Sequence, residues 1–89
     1  MTQFNYFTEV LVHICDTFAF DHQTMMKLRG RLEAVFHSKY NVSKKKNPAT
    51  LMQIALLMLS DFNAGRTVEQ VLARSDKEFI KLARKVKPQ

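Results

Sequence analysis

Residues 54–59 read IALLML, an uninterrupted apolar run in the second half of the chain. A helix that is apolar on every side has no face suited to water, so other elements must cover it from several directions. The run therefore predicts the central core helix. Asn47 and Pro48 supply an N-cap and a first-turn proline at its start. Asn63 and Gly65 predict its end, since both residue types tolerate the left-handed conformation of a helix C-terminus.

The opening stretch, FNYFTEVLVHICDTFAF from Phe4 to Phe20, holds 11 apolar or aromatic residues among 17. Spacings of three and four residues place five of them on one helical stripe facing the core: Phe4, Phe7, Leu11, Ile14 and Phe18. The large apolar residues off this stripe are Tyr6, Val10, Val12 and Phe20. Their area exceeds what one packing contact would bury. A second covered surface is therefore predicted on this helix.

A second helix is predicted to begin after Asp21, which supplies an N-cap oxygen, and to run to about Tyr40. Its apolar positions form a single face: Met25, Leu28, Leu32, Val35 and Phe36.

Two short helices are predicted near the C-terminus. Thr67 with Gln70, and Ser75 with Glu78, each pair a hydroxyl with a reaching side chain three residues later, which is a capping box. The break between them falls near Arg74. The inner face of the last helix is predicted to consist of Phe79, Leu82, Ala83 and Val86. This pair is helix-turn-helix-like, although a helical hairpin built only for packing explains it equally well.

The chain has 89 residues, 46% of them apolar, and lacks alternation of β-branched residues, internal repeats and Gly/Ser linkers. These features predict an all-α, compact single domain, a bundle of five to six helices. N-terminal helices at 3–20 and 21–40 are expected to form a partner-binding face. A basic loop at 41–50 then leads to the core helix and basic C-terminal helices of 51–89.

The net charge of +6 is unevenly distributed. Residues 1–40 carry four bases and four acids, whereas 41–89 carry ten bases and four acids. A basic half is typical of a surface for nucleic acid or an acidic protein, and equally of a solvated surface. The single cysteine and the absence of a signal-peptide pattern at the start favour the cytoplasm. The apolar runs are too short for a membrane span, so no membrane partner is expected.

Residues suited to catalysis or metal binding are sparse. His13 and Cys15 are two apart on a helix and point in different directions, so they cannot share a metal ion from that helix. Cys15 is expected to be an inert core thiol. The only glycines are Gly30 and Gly65, so no glycine-rich phosphate loop exists. The sequence predicts a protein that is not an enzyme and that needs no cofactor or metal.

The chain resembles the AsiA anti-sigma factors of T-even bacteriophages, which are all-helical and of nearly the same length. The resemblance runs through FTEVLVHICDTFAFD, where Glu9, Val10 and Leu11 lead to a helix-ending Phe20 and a capping Asp21. It continues with the register of the second helix and returns in TVEQVL and FIKLA near the end.

This resemblance implies a phage transcription regulator in the cytoplasm of a bacterial host. Family members bind the C-terminal domain of the host primary sigma factor, block recognition of host promoters by RNA polymerase, and in some cases co-activate phage promoters. The free protein would self-associate as a homodimer. Carried over by register, the partner-binding residues are Glu9, Val10, His13, Ile14, Thr17, Phe18, Phe20, Val35, Phe36 and Lys39. Lys81 and its neighbours correspond to a region that touches polymerase or a co-activator.

The alternative is a small basic DNA-binding protein of the helix-turn-helix kind. The basic second half departs from the mildly acidic character of the better-known family member, which keeps direct DNA contact open. The residues that would touch polymerase or nucleic acid are Lys44, Lys45, Lys46, Arg66, Arg74, Lys77, Lys81, Arg84 and Lys85.

Overall fold

A computed structural model describes residues 3–41 and 48–86, with side chains at 8–41 and 50–86. Within these ranges the chain forms five helices and no strand, which confirms the all-α prediction. The helices are α1 (Gln3–Thr17), α2 (His22–Phe36), α3 (Pro48–Asn63), α4 (Val68–Ala73) and α5 (Asp76–Ala83). Some predictions lie outside the described side chains: the apolar positions Phe4, Tyr6 and Phe7, the lysine run 44–46, and the N-cap at Asn47.

The central element is α3, which packs against each of the other four helices. Ile54, Ala55 and Met58 are completely buried, as the apolar run predicts. The helix ends in a left-handed residue, Gly65, whose φ is +88°. The Arg66 N–H donates to the Asp61 carbonyl and the Gly65 N–H to the Phe62 carbonyl, the bonding pattern of a Schellman cap.

The first helix ends earlier than predicted, at Thr17 and not at Phe20. Ala19 adopts a left-handed conformation with φ of 57°, and the Phe20 N–H donates 2.9 Å to the Cys15 carbonyl. This is the longer hydrogen bond of a Schellman cap, formed here without the usual glycine. The cap reverses the chain so that the Phe20 ring reaches Phe62, with a 5.0 Å separation of centroids.

The second helix begins as predicted, because an Asp21 carboxylate oxygen accepts a 2.8 Å hydrogen bond from the Thr24 N–H. It ends at Phe36, earlier than the predicted Tyr40. Asn41 is buried, and its side-chain amide donates 2.8 Å to the Phe36 carbonyl. The Ser38 hydroxyl donates 2.7 Å to the Val35 carbonyl. These side chains occupy carbonyls that a longer helix would have used.

The two C-terminal helices begin at the predicted caps. Thr67 and Gln70 form a reciprocal capping box, and the Ser75 hydroxyl accepts from the Glu78 N–H. The break at Arg74 is extended, with ψ of 135°. Both α4 and α5 pack on α2 and α3, and they make no close backbone contact with each other within the described residues.

Candidate partner-binding surfaces and the charge network beneath them

Among the described helices, α1 packs on α2 and α3 only, so none of the described elements covers its remaining flank. Four of the predicted sigma-binding residues lie on this flank: Glu9, Val10, His13 and Thr17. Glu9, His13 and Thr17 are exposed, and Val10 is half-buried where the flank meets the core. Their spacing of one, three and four residues places them on one side of a helix. We call these four residues the α1 flank.

Apolar surface beside this flank is limited. Val12, on the same outward side of α1, is 41% exposed, and Met26 of α2 is 51% exposed. Among the described residues, Val12 and Met26 are the exposed large apolar side chains. Most of the apolar excess of the opening stretch is thus absorbed inside the protein wherever its side chains are described.

Two residues predicted to bind a partner are in the core instead. Ile14 and Val35 have no exposed surface. Ile14 belongs to the stripe that α1 presents to α3, and Val35 to the buried face of α2. In this conformation neither side chain can touch a partner. The structure therefore places Ile14 and Val35 in the core and not in the predicted binding surface.

Phe18 and Phe20 form an aromatic cluster with Phe62. The Phe18 and Phe20 centroids are 5.9 Å apart, and Phe18 lies 5.7 Å from Phe62. Both are half-buried and pack against the core. Rings at these separations attract each other beyond their burial alone. Phe18 and Phe20 therefore stabilise the end of α1, and only their outer edges are open to a partner.

The remaining predicted contacts lie at the end of α2. Phe36 is half-buried and packs edge-on to His37, with centroids 5.1 Å apart. Lys39 is exposed in the turn that follows the helix, with its ammonium 5.3 Å from the centre of the Tyr40 ring. Their accessibility is compatible with a contact, although Lys39 is not on a helix as predicted.

Arg74, predicted to contact polymerase or nucleic acid, is an internal residue. Its guanidinium holds the Asp61 carboxylate through two parallel hydrogen bonds of 2.7 and 3.0 Å. The side chains are 11% and 5% exposed, respectively. Arg66, half-exposed, lies 3.7 Å from the same carboxylate. Asp61 therefore holds Arg74 in the interior and partly neutralises the charge of Arg66. Both arginines were predicted to contact polymerase or nucleic acid.

Arg31 extends this network to α2. Its guanidinium donates to the Arg74 carbonyl, and one nitrogen lies 2.7 Å from Asp76 of α5. That carboxylate oxygen has no hydrogen bond of good geometry, so we treat the contact with Asp76 as Coulombic attraction. The completely buried Phe79 ring lies 6.0 Å from the Arg31 guanidinium and 5.1 Å from that of Arg74. Both distances allow cation–π attraction.

The charge network therefore comprises Arg31, Asp61, Arg66, Arg74 and Asp76. Sequence reasoning missed it, although Asp61 carried a signal. An acid in the last turn of a helix faces the negative end of the helix dipole, which is unfavourable without a cationic partner. That partner is Arg74, beyond the end of α3. The network joins α2, α3 and α5 through the break that follows α4.

The outer face of α5 carries cations of a different kind. Lys77, Lys81, Arg84 and Lys85 are exposed, and in the described part of the chain none of them lies within 4.0 Å of a carboxylate. An open groove of about 300 Å³ runs along this face. Its lining is Ser75, Lys77, Glu78, Lys81, Leu82 and Lys85. We call it the α5 groove.

The described residues contain few groups suited to catalysis or metal binding. Burial, helped by the neighbouring Asp16 carboxylate, raises the pKa of the Cys15 thiol and disfavours the reactive thiolate. No group of three or more His, Cys, Asp or Glu side chains is arranged to hold a metal ion in the described regions. None of the helices of those regions has the length and apolar character needed to cross a membrane.

Comparison with known proteins does not assign the chain to a family. No protein-family model, curated protein or solved structure matches it.

Proposed function

We propose that the protein is a non-enzymatic transcription regulator that binds the C-terminal domain of a bacterial primary sigma factor and inhibits promoter recognition. The observation that supports this function is the α1 flank. Glu9, Val10, His13 and Thr17 correspond by register to partner-binding positions of the anti-sigma factors, and they lie together on a surface that no other described element covers.

The flank is suited to a protein partner more than to nucleic acid. It presents a carboxylate, an imidazole, a hydroxyl and the edge of an aliphatic side chain, without a cation to hold a phosphate. Interfaces of this mixed character bind through a central apolar contact with polar groups at the rim. Val10 would provide the apolar contact here, and Glu9 and Thr17 would lie at the rim.

Inhibition follows from competition in this proposal. A sigma domain held on the α1 flank would be occluded or remodelled, and it would no longer engage promoter and polymerase together. Co-activation of phage promoters would use a second surface, for which the outer face of α5 is available. Such a protein would act in the cytoplasm of a bacterial host.

The test is direct binding to purified C-terminal domains from a panel of bacterial primary sigma factors, measured by isothermal titration calorimetry. Thr17→Arg places a bulky cation on the flank and should weaken binding at least tenfold, by roughly the effect of losing an important interface residue. Gln23→Arg, an equally exposed position on α2, is the matched control and should bind like the wild type.

Thermal melts of all three proteins show whether they remain folded. If the folded wild type binds no sigma domain of the panel, the proposed function is refuted. If Thr17→Arg binds as tightly as Gln23→Arg, the α1 flank is not the binding surface.

DNA binding is the second candidate function, favoured by the exposed cations of α5. Two observations reduce its support. Arg74 is engaged with Asp61, and α4 does not pack against α5 as the first helix of a helix-turn-helix packs against its recognition helix. A steep loss of affinity for duplex DNA with rising salt, abolished by replacing Lys77 and Lys81, would favour it over sigma binding.

A further inference from the structure

The α5 groove has a local excess of positive charge, because none of its lysines lies within 4.0 Å of a carboxylate of the described residues. Asp61 and Asp76 are already paired with arginines in the charge network. The groove lining contains one carboxylate, that of Glu78, and three lysines. Lys77 and Lys81 lie four residues apart on α5, about 6 Å along its axis, and Lys85 follows in the turn after the helix. We call these three residues the lysine row.

The groove is more than a charged surface, because one wall is apolar. Leu82 is half-buried and lies beside the lysine row, where it lines the cavity. The cavity of about 300 Å³ is at the lower limit of a small-ligand site, and it admits one or two side chains of a partner.

Nucleic acid fits this lining less well. The lining combines lysine ammonium groups with an aliphatic wall, and an aliphatic wall gives nothing to a sugar-phosphate backbone. A protein segment with carboxylates flanking one aliphatic side chain satisfies both features. Its acids pair with the lysines and its aliphatic group packs on Leu82.

We propose that the α5 groove is a docking site for an acidic amphipathic segment of a partner protein. The segment presents carboxylates at helical spacing to Lys77, Lys81 and Lys85, and inserts one aliphatic side chain against Leu82. This surface is separate from the α1 flank, so the protein can hold two partners at once. The inference does not depend on the sigma-binding proposal.

The experiment uses a fluorescein-labelled helical peptide with Glu at three positions four residues apart and a Leu beside the middle one. Its binding to the full chain is followed by fluorescence anisotropy at physiological salt. Two further peptides replace either the Glu residues by Gln or the Leu by Ser. We expect both replacements to weaken binding roughly fivefold or more, since charge steers the encounter and the apolar anchor holds the complex.

Protein variants locate the site. Lys81→Glu, at the centre of the row, should weaken peptide binding by roughly tenfold or more, whereas Glu78→Gln should tighten it. Lys27→Glu makes the same charge reversal at an exposed position of α2 and should change affinity little. Circular dichroism confirms that each variant is folded.

Three results would overturn the proposal. The first is equal affinity for the Leu and Ser peptides, which would mean attraction by charge alone. The second is equal loss from Lys27→Glu and Lys81→Glu, which would mean attraction to the whole molecule. The third is tighter, Lys81-dependent binding of a duplex DNA probe under the same conditions, which would assign the groove to nucleic acid.

Discussion

The cations around α5 divide into an inner and an outer set that differ in burial, in pairing with carboxylates and in side-chain type. The inner set consists of arginines at 31 and 74, which are largely buried, paired with carboxylates and close to the Phe79 ring. The outer set, dominated by the lysines of α5, is exposed and has no carboxylate within 4.0 Å among the described residues. Guanidinium suits the inner role because its planar fork matches a carboxylate, whereas ammonium is strongly hydrated and stays in water.

The difference shows that net charge alone does not identify a binding surface. All of these residues add equally to the charge of +6. The inner arginines are committed to the fold, and only the outer set remains for a partner. Substitutions should therefore affect stability at inner positions and binding at outer positions.

The largest effect is expected from Arg74→Met. This change removes the guanidinium and leaves the Asp61 carboxylate buried without its bidentate partner. Breaking a buried ion pair in this way costs roughly 3–5 kcal/mol of the free energy of unfolding. Urea denaturation followed by circular dichroism measures the loss. The double variant Asp61→Leu/Arg74→Met should recover part of it, and no recovery would show that Arg74 acts mainly through Phe79 or the Arg31 contact.

A smaller loss is expected from Ser75→Ala. The Ser75 hydroxyl accepts the Glu78 N–H at 3.2 Å and fixes the start of α5, from which both the inner Asp76 and the outer lysines project. Removing an N-cap oxygen costs about 1 kcal/mol of unfolding free energy. The same denaturation experiment measures it, with Ser75→Asp as the control that retains a capping oxygen. Equal destabilisation by both variants would contradict the capping role.

Gly30→Ala should increase stability. Gly30 is in the exposed middle of α2, next to the inner Arg31, and an added Cβ would have no neighbouring atom within 4 Å. Alanine is favoured over glycine in a helix by roughly 0.5–1 kcal/mol. A higher urea midpoint is expected. A lower midpoint would mean that the backbone of α2 near Arg31 is less tolerant than its open surroundings indicate.

Asp21 is an exposed carboxylate that caps the start of α2, whereas the Asp61 carboxylate is buried. Its hydrogen bonds from Thr24, first the backbone N–H and then the side chain, lower the pKa of its carboxyl below the ordinary 3.8. A lowered folded-state pKa stabilises the fold above the unfolded-state pKa, and this contribution is lost as the pH falls through the folded-state pKa. Asp21→Asn, which keeps a capping oxygen, should therefore show a weaker dependence of the urea midpoint on pH below about 4. Identical pH profiles would exclude the effect.

The smallest effect on stability is expected from Lys81→Ala in the outer set. An exposed lysine without a paired carboxylate should alter the free energy of unfolding by less than about 0.5 kcal/mol. Denaturation beside Arg74→Met gives the comparison. A loss above 1 kcal/mol would place Lys81 in the inner set and remove the distinction between the two sets.

Local features were predictable from sequence because their partners are close along the chain. Asp21, Thr67 and Ser75 cap helices through N–H groups three residues away, and Gly65 ends α3 as its residue type indicates. The candidate site was predictable in part for the same reason. Glu9, His13 and Thr17 share a face through helical periodicity alone.

Sequence reasoning misplaced individual residues where the interaction partner is distant along the chain. Arg74 has the composition of a surface cation, and its role depends on Asp61 in another helix. Ile14 and Val35 fit an apolar binding stripe, but α1, α2 and α3 close over them. Residues 18–20 are compatible with helix, but α1 ends before them. The turn that follows places the Phe20 ring against Phe62 in another helix.

The sequence by itself determined that the chain forms helices, that residues 54–59 lie at the centre, and where most helices begin. These properties follow from periodicity and from hydrogen bonds within one turn, which are encoded locally. The tertiary structure alone decided which cations are internal and which face of α5 remains open. That choice depends on which carboxylates the folded chain brings within a few ångströms of each guanidinium, and no local pattern contains that information.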